Sequence, residues 1–299
     1  MRRAHLQAAR RWAAAAVAVL VLGGTADEAR ADFRFLGMGA RPRAMGSAFV
    51  SLADDANAAF WNPAGLVRSH RSALMLTRAW LYDTDELRHD YLAVEAPTWR
   101  NWHVGASWVR LSIPDLYNED QINLAVAHEL PFVPGLSVGI TGKLFLLSAP
   151  GYERYNDPYY NGGDHGFSAD LGLLYDSGGA WTVGAAFYNL KGTELQLLEN
   201  TSDPDPVPSD WAAGGSWLFR ETLLVTADVR SRDGQAGNLV VHGGAEIWFF
   251  DALVLRSGLD RGLVTMGAGL QDKHWQADFA VQTDRRLGNV YLLSFTVRK

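Results

Sequence analysis

From about Arg71 to its last residue the chain breaks into segments of roughly ten residues in which apolar and polar side chains alternate, separated by turn residues. Successive side chains of a strand point to opposite faces, so this alternation gives each segment one apolar and one polar face. In 274–283, Trp275, Ala277, Phe279 and Val281 point one way and Gln276, Asp278, Ala280 and Gln282 the other. The split recurs in 289–298 and in 222–231, where Leu223, Val225, Ala227 and Val229 oppose Thr226, Asp228 and Arg230. Fourteen segments can be drawn, at 71–81, 89–96, 102–111, 118–129, 136–147, 165–175, 180–190, 210–219, 222–231, 238–249, 252–260, 263–271, 274–283 and 289–298.

The spacing of these segments has a parity. Connections after even-numbered segments are short, whereas the two longest, 148–164 and 191–209, both follow odd-numbered ones. An even-stranded membrane barrel with both ends on one side, short turns there and longer loops opposite has this pattern. The fold class expected is therefore all-β, a 14-stranded antiparallel transmembrane β-barrel. A soluble sandwich or propeller also has many short strands. It would, however, place Asp170, Asp228, Glu246 and Asp278, beside Lys143 and Arg256, on a dry core face. A barrel lumen supplies water and facing charges to the same six residues. Two readings of them stay open, a structural network filling the bore and the polar lining of a solute path.

The first residues set the compartment. Arg2, Arg3, Arg10 and Arg11 precede an apolar run from Trp12 to Leu22, followed by Ala29-Arg30-Ala31. The run is too short to cross a hydrocarbon core of about 30 Å as a helix, and small residues at 29 and 31 suit a signal peptidase, so residues 1–31 are expected to be a signal peptide and Asp32 the mature start. The chain has no cysteine, hence no acyl-anchored cysteine and no disulfide. Its formal net charge is −6, more acidic still without the basic leader, which argues against nucleic acid as a partner.

Residues 32–70 do not alternate. A short helix over Ala53–Phe60, begun near Asp54 and stopped at Asn62-Pro63, fits the residue types. Irregular backbone at membrane depth is tolerated only when protein encloses it, so this segment is expected to be a hatch inside the lumen, with 71–299 forming the barrel. The run Gly39–Leu66, GARPRAMGSAFVSLADDANAAFWNPAGL, resembles the N-terminal signature of the PorV/PorQ group of barrels, related to the long-chain fatty acid transporter FadL. Further stretches resemble that group, among them SADLGLLY, WTVGAAFYNL, VHGGAEIWF and the closing LGNVYLLSFTVRK. The resemblance implies a 14-stranded barrel in the bacterial outer membrane whose hatch carries an Asn-Pro-Ala element, here Asn62, Pro63 and Ala64 with Gly65 and Leu66.

Two functions follow from the resemblance. One is a channel for hydrophobic small molecules, gated by the hatch. The other is an accessory barrel of type IX secretion that binds exported proteins or translocon subunits. Expected partners are accordingly outer-membrane lipid, a hydrophobic ligand and, on the second reading, secretion proteins. No enzyme motif, phosphate loop or paired histidine ligands occur, so no catalytic residue, metal site or cofactor is assigned. The tyrosine-rich loop 151–164 reads as a solvated loop, since its carboxylates lack calcium-loop spacing, and 202–210 as a proline-stiffened connection. His128 and His242 read as girdle or lumen residues. Trp99, Trp102, Trp181, Trp211, Trp248 and Trp275 read as an interfacial girdle.

Overall fold

The computed structural model of the chain describes residues 37–84, 86–98, 101–199, 204–232, 235–284 and 287–299. The expected signal peptide, the start of the hatch and Trp99 lie outside the described residues. Strands β1 (Ala73–Trp80), β2 (Arg88–Pro97), β3 (Trp102–Ile113), β4 (Tyr117–Glu129), β5 (Leu136–Ser148), β6 (Asp164–Asp176) and β7 (Trp181–Tyr188) form the first half of the wall. A small hairpin, β8 (Thr193–Leu195) and β9 (Asp205–Val207), interrupts the run. The second half is β10 (Asp210–Phe219), β11 (Leu223–Arg232), β12 (Gln235–Phe249), β13 (Leu253–Asp260), β14 (Leu263–Gln271), β15 (Trp275–Gln282) and β16 (Val290–Arg298).

Each wall strand pairs antiparallel with its chain neighbour, and β1 pairs with β16 from Ala73↔Arg298 to Trp80↔Tyr291, which closes a barrel of fourteen strands. Closure leaves no edge, and so supplies the backbone with the partners that lipid cannot offer. The strands fall where alternation placed them, to within three residues at either end.

Burial in this barrel is inverted relative to a soluble protein. Leu74, Leu76, Leu124, Phe167, Met266, Phe279 and Leu293 are exposed on the outside, while Asn123, Thr141, Asp170, Thr265 and Asp278 are buried inside. So broad an apolar outer surface is stable only against lipid. Towards the long-loop end the band stops at a row of cross-strand neighbours, Arg78, Asp90, Arg110 and Asp120, all on the outward phase. Arg78 and Arg110 each reach their carboxylates at 2.7 Å. Charges avoid hydrocarbon, so this row marks where the lipid tails end on that side.

Three local expectations are corrected. The connection 191–209 folds as the β8–β9 hairpin and tucks into the barrel mouth, because Leu195 and Val207 are apolar enough to bury against Phe145 and Leu147. The expected helix 53–60 shrinks to Ala58–Trp61, for reasons given below. Trp248 is not on the outer girdle: it shares the inward phase of Glu246, and its indole Nε1 donates to Glu246 Oε1 at 2.9 Å. Trp102, Trp181 and Trp275 do stand exposed at strand starts, and His128 stacks on Trp102.

Leu124→Arg puts a charge in the middle of the lipid-facing band, and should weaken folding into bilayers by about 2–4 kcal/mol. Gln121→Arg, on the lumen phase of the same strand, should cost far less. Urea titration of barrels refolded into liposomes measures both.

Candidate functional site

The segment 37–72 lies inside the barrel, and apart from a few side chains at its two ends it is buried. It contains two short helices, α1 (Ala40–Ala44) and α2 (Ala58–Trp61), followed by a 3₁₀ turn over Pro63–Arg68. Pro42 is tolerated because it sits in the first turn of α1, where an N–H has no helical partner to lose. The segment has a core of its own. Trp61 is fully buried, its indole Nε1 donates to Met38 O at 2.9 Å, and Phe49 and Phe60 meet it edge to face at 5.9 Å each. α2 starts late because Asp55 Oδ1 accepts the Asn57 backbone N–H at 2.9 Å, a local turn that competes with helix. It stops at Asn62, which is extended. Asn62 Oδ1 caps Ala64 N–H at 3.1 Å, and its Nδ2 donates to Val50 O at 2.8 Å and to the β6 carbonyl of Leu173 at 3.1 Å.

The inner wall receives this segment on glycines. A Cβ at Gly139 would run into the backbone of Pro63 and Ala64, one at Gly172 into Asn62 Oδ1, and one at Gly184 into Val50 O. Across the lumen, a Cβ at Gly244 or Gly258 would strike the backbone of Met45 and Gly46, and one at Gly267 the Ala44 side chain. Glycine weakens a strand, and in strand interiors it marks close approach of another backbone. Here it forms a seat that lets the hatch backbone touch the sheet.

Charge ties the hatch down. Arg41 Nη1 reaches Asp54 at 2.5 Å and Asp55 at 3.1 Å, while its Nε reaches Glu246 of β12 at 3.0 Å. Glu246 also accepts from Arg256 at 2.6 Å, and Arg256 from its other arm binds Asp278 at 2.6 Å. Arg43 pairs with Asp260 at 3.1 Å, which also faces His242 at 3.2 Å. Asp228 Oδ2 accepts the Val50 backbone N–H at 2.8 Å. Burial alone would lower the Arg41 pKa, but Asp54, Glu246 and Asp55 raise it well above the ordinary guanidinium value. Burial would raise Asp54, yet Arg41 and Arg68 outweigh it and bring it down to about 2. Asp55 moves the other way, pushed up by burial in spite of Arg41, with the charge of Asp54 adding to the rise.

Between the hatch and the long-loop end lies a chamber of about 140 Å³. Met38, Arg43 and Phe60 form its floor, and Phe145, Tyr188 and Arg230 belong to its walls. Asn189 and Pro208, which flank the β8–β9 hairpin, also line it. The chamber thus sits between the hatch and the hairpin.

All six lumen residues chosen from strand phase face inward and are buried, but not as one group. Lys143 pairs with Asp170 at 2.9 Å on the β5–β6 wall. Glu246, Arg256 and Asp278 form one chain with Arg41, and Asp228 stands apart, holding the hatch backbone. Asn62, Pro63, Ala64, Gly65 and Leu66 lie on the opposite wall, against β3 to β6, and not among these charges. Sequence reasoning missed Arg41, Arg43, Asp54, Asp55 and Asp260 as ion-pair members, and it missed the glycine seat. The visible signals were two arginines within three residues of each other in an otherwise apolar motif, and glycines recurring on the inward phase.

The arrangement is that of a plugged membrane barrel. No family model matches the chain, and no curated protein matches it. Among solved structures it is similar to the CymD monoaromatic hydrocarbon channel, at 16% identity over 89% of this chain and 99% of that one, with a TM-score of 0.62. It is similar to the toluene transporter TbuX of Ralstonia pickettii at 17% identity, covering 89% and 99%, with a TM-score of 0.59. A FadL homologue of Pseudomonas aeruginosa gives 12% identity, the same coverages and a TM-score of 0.62. At these identities the likeness is one of fold.

Arg41→Gln leaves Glu246, Asp54 and Asp55 without their shared hatch cation and should destabilise hatch docking by about 3–5 kcal/mol. The expected readout is trypsin cleavage at Arg68 or Arg71 while the barrel itself stays intact. A pH titration tests the native chain, with cleavage read by pepsin, which stays active in acid where trypsin does not. The folded Asp54 pKa is depressed, so its contribution is full above its ordinary value near 3.9 and is lost as pH falls through about 2. Asp55, raised in the hatch, adds nothing to that loss. Asp54→Asn should remove the acid-induced increase in cleavage.

Proposed function

We propose that this chain is a bacterial outer-membrane channel for small molecules, with the segment 37–72 as its hatch and the chamber above it as the waiting site. The observation that carries this reading is the chamber itself, ringed by a seamless wall, floored by a hatch held by ion pairs and flanked at its mouth by the β8–β9 hairpin. A plug needed only for stability could fill the bore with apolar side chains. This one instead holds three of its attachments to the wall through charged side chains, Arg41–Glu246, Arg43–Asp260 and Asp228–Val50, and a fourth through the His242–Gly46 hydrogen bond, all of which water can replace.

The fold likeness to a monoaromatic hydrocarbon channel and a toluene transporter supports small, largely apolar solutes. The C-terminal end of β16 lies at the short-turn end, which in an outer-membrane barrel faces the periplasm. Solute would enter past the β8–β9 hairpin and leave past the hatch. The lumen charges serve in this reading as the docking ground of the hatch. Placement in the PorV/PorQ group rests on the motif from Gly39 to Leu66. The secretion reading is not carried further, because the solved structures of like fold are channels and transporters.

With no native cysteine, a disulfide can be placed at will. Ala44 of α1 and Ala280 of β15 pack in one apolar cluster. The Ala44→Cys/Ala280→Cys barrel, oxidised, should lose most of the solute flux into liposomes that it shows when reduced. Equal flux in the two redox states, with the cross-link confirmed by mass, would sink gating by this segment.

A further inference from the structure

The chamber above the hatch has room for one small ring and is lined by charged as well as aromatic side chains. Its volume is about 140 Å³, close to that of an engineered cavity of roughly 150 Å³ that takes one benzene ring. Phe60, Phe145 and Tyr188 offer ring faces and edges to such a ligand, and Val109 and Leu111 complete an apolar side. The other side is charged. Arg43, Lys143, Arg230, Arg232 and Arg261 outnumber Glu119, Asp210 and Asp260 in the lining. Acids and bases are engaged alike, and Lys143 pairs with Asp170 on the wall. Asp260 takes Arg43, Ser47 and Arg261; Glu119 takes the Tyr117 hydroxyl; Asp210 takes Ser231.

His89 is the second, independent observation. It sits on the inward phase of β2, is only 3% exposed, lines the chamber and makes no hydrogen bond to any described residue. A buried donor without a partner is costly, unless something in the space beside it accepts. Arg43 lines the same chamber, so an acceptor placed beside His89 would have a cation as well as an imidazole within the lining.

Resting on the channel reading above, we infer that the chamber binds a single-ring aromatic carrying a short anionic group, with the ring against Phe60, Phe145 and Tyr188 and the anion at His89 and the basic lining. A pure hydrocarbon of the same size would strip water from these donors without replacing it.

The test uses the full mature barrel in amphipol and three probes of matched size, 4-fluorobenzoate, 4-fluorotoluene and 4-fluorobenzylammonium, observed by ¹⁹F NMR against empty amphipol. The benzoate should bind most tightly. His89→Leu should weaken it by about tenfold or more, as expected for a lost hydrogen bond to a charged group, and leave the toluene unchanged. His89→Gln, which keeps a donor, should retain most of the benzoate affinity. Equal or tighter binding of the toluene or of the ammonium overturns the inference, as does a barrel that binds none of the three. Should His89→Leu fail to fold, the ranking of the probes on the native barrel decides alone. The outcome is separable from the channel reading: toluene binding with redox-dependent flux keeps the channel and rejects the anion, whereas benzoate binding with redox-independent flux does the reverse.

Discussion

Lipid offers the backbone no hydrogen-bond partners, and the demand for a wall without edges governs everything else in this molecule. Fourteen strands meet it by sequential pairing and the β1–β16 seam. Eight strands would leave an interior that side chains alone can fill; fourteen leave a bore. Something must occupy that bore if the inward polar residues are to find partners rather than line open water. Residues 37–72 do so, and their irregular backbone is permitted at that depth because the wall encloses it.

How the hatch is held differs from how it is built. Internally it is an ordinary core, with Trp61 at its centre between Phe49, Phe60 and Met38. Its contact with the wall combines bare glycine backbone on the strands with a few charges. Buried ion pairs contribute little net stability over apolar packing of the same volume, yet losing one partner is severe. Such contacts position a unit exactly while leaving it separable, provided its own core moves with it. Asn62 illustrates the division, one side chain closing a turn within the hatch and also reaching the carbonyl of Leu173 in β6.

The wall was legible in the sequence because its signal is local. Period-2 alternation and connection parity need no knowledge of what touches what, and they located all fourteen strands. The hatch was legible only as a departure from that pattern. Its helix was read too long, since Asp54 and Asp55 look like a start signal but are spent on Arg41 and on an Asx turn. The tryptophan at 248 was read as girdle by position along its strand, although strand phase alone puts it beside Glu246. Lumen acids could be assigned to the inner face, but not their partners, because Arg41 and Glu246 are separated by most of the chain. The inward phase of Gly139, Gly172 and Gly184 is visible in the sequence but their role is not, because a glycine's meaning in a strand lies in the backbone that approaches it, here Pro63, Asn62 and Val50.

The hatch below the chamber and the hairpin at its mouth are held by chemically unlike contacts, and that difference bears on how a solute could pass. The outer hairpin is held by Leu195 and Val207 against Phe145 and Leu147, an apolar contact that a ligand with a ring can replace with its own surface. The hatch is held by Arg41, Arg43 and their carboxylates, which a hydrocarbon cannot replace but an anion can compete for. A solute carrying both characters would loosen each set of contacts in the order it met them. One with only apolar character would enter the chamber and find nothing to exchange with the ion pairs beneath it.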